Sequence, residues 1–433
     1  MTAAVTSSSP SRTSGARTPN RWLILVGGVL VQLAIGAVYA WSTFSKALVA
    51  DDAVMQLSKV AAAVPFEVAI GMIFVGSFIG GKIQDARGPR MVALVGVVIY
   101  AVGIMLSSLA TNPGDLWILV VGYGVLGGFG LGMAYIVPIA MLQKWFPDKA
   151  GLITGVAVGG FGFGAVITSP VAGAMIQNDP AYPTSPFLWL GLAYLVLGVL
   201  GALSFANPPE GYVVPGAKSA TARQTTMGTT GRDFTQSEAL RARQWYLLTA
   251  ILAISVTAGI SLISVAAGAA TDIAGMSTAA AATFVGLMGL FNGAGRILWA
   301  GLSDKIGKMP AFVGILSIQG LALLALPYAG SIPLFYVLGA VIYTCYGGAF
   351  GAMPSTAGRF FGVKNAGGIY GLMLIAWSIG GVLGPLLVSG LAGAENNYTL
   401  AFSVVGAIAL LGAVIPFLTK QPARPTSPEP AGR

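Results

Sequence analysis

FNGAGRILWAGLSDKIGK, residues 291–308, decides the architecture of this chain. Its first half completes an apolar run that begins near residue 278, and its second half turns polar. One cation, Arg296, stands inside the apolar part. A run of about 20 apolar residues is what a bilayer core roughly 30 Å thick requires of a helix. Eleven further runs of this kind lie near 22–45, 60–80, 90–110, 116–142, 150–176, 186–206, 244–270, 310–329, 332–357, 366–392 and 398–418. Of the 433 residues 55% are hydrophobic and only 9% charged, whereas a soluble domain carries roughly 25% charged residues. No ten-residue alternating segments point to a membrane β-barrel. The sequence therefore predicts an all-α polytopic membrane protein with twelve transmembrane helices.

The formal net charge of +9 raises the question of an acidic partner. Nucleic acid is not needed to explain it, because the cations fall on one side. With the N-terminus placed in the cytoplasm, 20 of the 23 Lys and Arg residues lie in inner segments, against only Lys46 and Lys59 in outer loops. Cytoplasmic loops collect Lys and Arg as a topology signal. The distribution predicts a multi-pass protein of the cell (inner) membrane, with both termini cytoplasmic and an even number of spans. Residues 1–20 have no apolar pattern and are expected to form a disordered tail, as is 420–433. A cleaved signal peptide is the alternative at the N-terminus, and the length of the run at 22–45 argues against it.

Chemistry by side chains is sparse. The chain has no histidine and one cysteine, Cys345, in an apolar run. That removes disulfides, the usual zinc sets and histidine acid–base catalysis. No enzyme, cofactor or metal site is expected, and Cys345 is expected to pack.

The chain also repeats itself. GKIQDARGPR (81–90) after the second run is echoed by AGLSDKIGK (300–308) after the eighth, with Asp85 and Asp304 219 residues apart. QKWFPDKAGLITG (143–155) is echoed by GRFFGVKNAGGIYG (358–371) at offsets of 215 to 216. Two echoes at nearly the same spacing predict two six-helix halves, 21–206 and 244–419. The Pro-, Gly- and Thr-rich stretch 207–243 reads as the cytoplasmic linker between them. Parallel repeats of this kind are a transporter architecture.

These two loops resemble the signature of the major facilitator superfamily, G-x-x-x-D-[RK]-x-G-[RK]. Ala86 stands where a base is usual, and Ala300 replaces the leading glycine. A finer resemblance is to the oxalate:formate antiporter family of bacterial monocarboxylate carriers. It is carried by RWLILVGGVLVQLAIGAVYAWS (21–42), KWFPDKAGLITG (144–155), DFTQSEALRARQWY (233–246) and NGAGRILWAGLSDKIG (292–307). The resemblance implies the major facilitator fold and alternating access. It also implies that Asp85, Arg87 and Arg90 in one loop, and Asp304, Lys305 and Lys308 in the other, gate the pathway. Charge-assisted hydrogen bonds between helix ends are a physical means of doing so, while a solvated loop with weak pairs is the plainer alternative. Glycine-rich helices at 151–164 and 367–384 suit either rocking or static close packing.

A cation at the centre of a lone helix costs at least ~2.5–3.5 kcal/mol, so Arg296 is expected to meet an anion in a protein-lined space. Snorkelling is the alternative, since Asp304 lies only eight residues on, about 12 Å along a helix. Asn292 and Gly289 on the same face, with Gly293 beside them, favour a lined cavity. No acid in the apolar runs is an evident partner, and Glu67 sits near an outer end. The residues therefore point to a small organic anion brought from outside, and the resemblance implies that Arg296 binds its carboxylate. The resemblance further places Tyr39, Tyr346 and Phe350 as aromatic walls, and Trp377 where the oxalate carrier has a lysine. Two carboxylates want two cations, so a single carboxylate such as lactate, pyruvate or formate is expected over oxalate.

Coupling is left open between proton symport, through Glu67, the substrate or Arg296, and exchange of one anion for another. A carrier-like sensor would keep the pocket and degrade the gating loops, which are intact. An exporter of another organic compound would want an acid in the pocket. The chain is expected to work as a monomer.

Overall fold

The computed structural model describes residues 19–209, 212–213, 233–392 and 397–422. The N-terminal tail expected at 1–20 and the C-terminal one at 420–433 therefore lie almost wholly outside the described residues, as does most of the linker. Twelve long helices follow in order: α1 (Arg21–Leu48), α2 (Lys59–Arg87), α3 (Pro89–Ser107), α4 (Pro113–Trp145), α5 (Ala150–Asn178) and α6 (Pro186–Leu203). The second set is α7 (Arg243–Ala274), α8 (Thr278–Ile306), α9 (Lys308–Ala325), α10 (Ile332–Phe361), α11 (Ala366–Ala392) and α12 (Tyr398–Leu418). Among the described residues, eleven are long and apolar enough to cross a membrane. The twelfth is α8, 29 residues long, which carries Arg296, Asp304 and Lys305. No strand occurs among the described residues.

The echoed loops end their helices in the same way. α2 and α8 each start under a serine cap, Ser58 on the Ala61 N–H and Ser277 on the Ala280 N–H, which satisfies one of the free amides of a first turn. Each stops at a glycine with positive φ, Gly88 at 89° and Gly307 at 97°. Only glycine enters that region without a Cβ penalty, so both chains reverse at once into α3 and α9. Outward faces are apolar, as at Leu298 and Phe417, 62% and 70% exposed. In lipid such a surface is satisfied rather than costly.

The halves α1–α6 and α7–α12 meet chiefly where α5 packs on α8 and α10 and where α2 packs on α11. Small residues make these contacts possible. A Cβ on Gly155 would run into the Arg296 carbonyl and the Ala300 methyl, and one on Gly371 into the Ser77 carbonyl. Close backbone approach replaces the hydrophobic drive that helices lack in a bilayer. Hydrogen bonds joining the halves run from the face that bears the linker to mid-membrane. They include Ser77 Oγ to the Gly371 carbonyl at 3.1 Å and Ser378 Oγ to the Ile70 carbonyl at 3.2 Å. Ile70 lies 15 residues above Asp85, about 22 Å along the helix. This conformation is closed toward the linker face.

Candidate functional site

Arg296 is fully buried at the meeting of the two halves. Its Nε donates to Asn292 Oδ1, one turn back on α8, at 3.3 Å. Its Cζ lies 5.2 Å from the ring centres of both Phe161 on α5 and Phe350 on α10, within the range of a cation–π contact. One phenyl comes from each half, so the guanidinium is clamped between them. Neither terminal nitrogen, Nη1 nor Nη2, makes a hydrogen bond of good geometry among the described residues, although the Tyr39 and Tyr135 hydroxyls lie close enough to interact with the guanidinium. The side chain does not snorkel, because the rings that hold it are themselves buried.

Aromatic residues close the space around it. Tyr39 and Tyr346 join hydroxyl to hydroxyl across the halves at 3.0 Å. Trp377 lies 4.7 Å from Phe350, 5.7 Å from Phe161 and 6.4 Å from Tyr39, centre to centre. The backbone is irregular where these rings enter. Tyr39 sits in a 3-10 segment, Gly36–Ala40, within α1, and α11 breaks at Leu374 just before Trp377. Broken helices at a central site are typical where backbone borders a cavity rather than lipid.

Arg296, Asn292, Tyr39, Tyr346, Phe350 and Trp377 lie together in the structure. Three further side chains that the sequence did not single out stand with them. Phe161 forms half of the clamp. Tyr135 on α4 packs 5.5 Å from Trp377 and, like Tyr370 on α11, feels the charge of Arg296. The hydroxyls of both tyrosines are buried without a hydrogen-bond partner among the described residues. A tyrosine inside an apolar run carries no signal that separates it from packing.

The loops behave less as expected. Asp85 does not pair with Arg87 or Arg90. Its two oxygens accept the Gly367 and Gly368 N–H groups at the start of α11, at 3.3 and 2.7 Å, where a helix presents unpaired amides and positive dipole. Arg87 is exposed, and Arg90 donates its Nε–H to the Phe205 carbonyl at 3.1 Å. Asp304 mirrors the arrangement by accepting the Leu152 N–H of α5 at 3.0 Å. It also pairs with Lys308 at 2.7 Å, whose ammonium reaches Ser303 and Ser355. Lys305 is exposed and stands apart from this cluster. Glu67 is exposed as well, and 18 residues from Asp85 puts it about 27 Å up α2, above the level of Arg296. Cys345 is buried and free. Among the described residues no group of His, Cys, Asp or Glu is placed to hold a metal.

Two sets of six helices that meet around a buried cation, with matched contacts at one face, are an arrangement found in transporters. The chain belongs to the Major Facilitator Superfamily, whose family model matches residues 21–385. It is 28% identical over 366 residues to the uncharacterized MFS-type transporter YhjX of Escherichia coli (strain K12), covering 84% of this chain and 86% of that protein. It is 27% identical over 407 residues to the oxalate:formate antiporter of Oxalobacter formigenes, covering 92% of each. The crystal structure of the E. coli fucose:proton symporter FucP superposes with a TM-score of 0.69 at 14% identity, over 94% of this chain and all of that one. That likeness is one of fold.

Proposed function

We propose that this chain is a secondary transporter of a small monocarboxylate, of the lactate, pyruvate or formate kind. One observation carries the reading. Arg296 is fully buried, with both terminal nitrogens unpartnered and phenyl rings on either side. A carboxylate supplies two acceptors in the fork geometry that a guanidinium fits. Asn292 sets the rotamer of the arginine, while Tyr39, Tyr346, Phe350 and Trp377 enclose the apolar tail. A dicarboxylate would bring a second charge, and Trp377 offers it no cation. The likeness to an oxalate:formate antiporter supports an organic anion as cargo.

In this reading Asp85 and Asp304 latch the linker face, which is cytoplasmic by the charge distribution of the inner membrane protein expected above. The latches release when the halves rock. The site is built from one chain, so a monomer suffices. Exchange of one anion for another needs no titrating group, and Glu67, exposed and far from Arg296, does not supply one at the site.

Uptake of labelled lactate, pyruvate, formate and oxalate into proteoliposomes, with and without a pH gradient, tests the assignment. Counterflow driven by an internal monocarboxylate is expected without any pH gradient. Stimulation only by inward protons would replace exchange with symport, and oxalate outcompeting the others would refute the single-carboxylate reading.

A further inference from the structure

We propose that Trp377 reads an oxygen on the carbon next to the carboxylate, so that the site selects 2-oxo and 2-hydroxy monocarboxylates over unsubstituted ones. This rests on the carboxylate-binding role of Arg296 proposed above. The indole Nε1–H is a donor and nothing else. In this chain it is fully buried and has no acceptor among the described residues. Its ring neighbours are Phe350, Tyr135 and Phe161 at 4.7, 5.5 and 5.7 Å. A buried donor left unpaired is costly, which makes this N–H conspicuous in an otherwise well-packed ring cluster.

The position of the indole gives the donor its use. Phe161 and Phe350, which border Trp377, are the same two rings that flank the guanidinium at 5.2 Å each. The two unpartnered donors, one charged and one neutral, therefore share a single pair of phenyl walls. The forked nitrogens of Arg296 account for both carboxylate oxygens, and the indole still wants an acceptor. A second carboxylate there would be an anion desolvated without a cation. A neutral oxygen on the adjacent carbon needs none. The hydroxyls of Tyr135 and Tyr370, near each other and without a hydrogen bond of good geometry among the described residues, are able to give a hydrogen bond to an oxo oxygen or take one from a hydroxyl. Formate has no second carbon to carry such an oxygen and falls outside the preferred class.

Pyruvate, lactate and propionate differ only at that carbon, and their equilibrium binding to the full-length protein in lipid nanodiscs is the test. Wild type is expected to bind propionate about tenfold or more weaker than the other two, the scale of a buried donor left unpaired. In Trp377→Phe, pyruvate and lactate should lose their advantage over propionate, while an unchanged thermal unfolding midpoint of the variant reports a folded protein. Trp377→His, which returns a ring N–H donor, should restore part of the preference. Trp377→Phe that still prefers pyruvate, or wild type that binds propionate as tightly as pyruvate, overturns the proposal. Arg296→Ala separates it from the reading beneath: that variant loses all three acids if the carboxylate site is right, whatever Trp377 does.

Discussion

α2 and α8 occupy the same place in the two repeats and end in the same glycine turn, yet they differ at mid-membrane. Ser77 on α2 stands 219 residues before Arg296 on α8, the spacing that also relates Asp85 to Asp304. The serine is short and already satisfied, its hydroxyl bonded to the Gly371 carbonyl at 3.1 Å, so α2 and α11 simply close on each other. The arginine at the matching level is long and charged, and its two terminal nitrogens make no hydrogen bond of good geometry among the described residues. One scaffold thus carries similar contacts at its face and a single buried cation at its centre. In the reading proposed here, the repeats supply the moving parts and that one position supplies the binding chemistry.

The closures are themselves unequal, which gives ways to break the comparison. Asp304 bonds a buried ammonium directly as well as a helix end, whereas Asp85 bonds amides and feels the Lys144 ammonium only through space. Asp304→Ala should have the largest effect, since it strands the buried Lys308 charge. Removing one partner of a buried pair costs up to about 3 kcal/mol for a carboxylate that is partly exposed. A fall in thermal stability, recovered in Asp304→Ala/Lys308→Ala, checks this. Asp85→Ala should leave stability nearly intact and instead open the linker face. Hydrogen bonds to a charged group contribute about 1.5–3 kcal/mol each, enough to shift the open population roughly tenfold or more. Spin labels at Ala86→Cys and Lys364→Cys should then show a longer distance, and an unchanged distance would remove Asp85 from the latch. Arg87→Gln and Glu67→Gln should change transport least, within about twofold, because exposed charges contribute little. A collapse of uptake in Glu67→Gln would make it a coupling residue after all.

The twelve spans were legible in the sequence because lipid imposes a length and a polarity that no other solvent does. Arg296 was legible for the same reason, as a cation where none belongs. Tyr39, Tyr346, Phe350 and Trp377 came through resemblance, not through any pattern of their own. What stayed hidden depends on how helices face one another. Phe161, Tyr135 and Tyr370 lie in apolar runs where aromatic residues are ordinary, and only the register of α4, α5 and α11 against α8 turns them toward the arginine. Asp85 hid its partners because they are main-chain amides. Sequence displays side chains, so Arg87 beside it looked like the natural mate and proved to face solvent.

Titration of a monocarboxylate such as lactate into purified wild type and Arg296→Gln, followed by calorimetry, addresses the central claim most directly. Glutamine keeps a polar side chain with an N–H donor and removes the charge. If the unpaired guanidinium is what holds the anion, the variant should lose binding by about 100-fold or more, the scale of a charge-assisted fork lost from a buried site. Equal affinity in the two proteins would contradict the account and place the anion elsewhere.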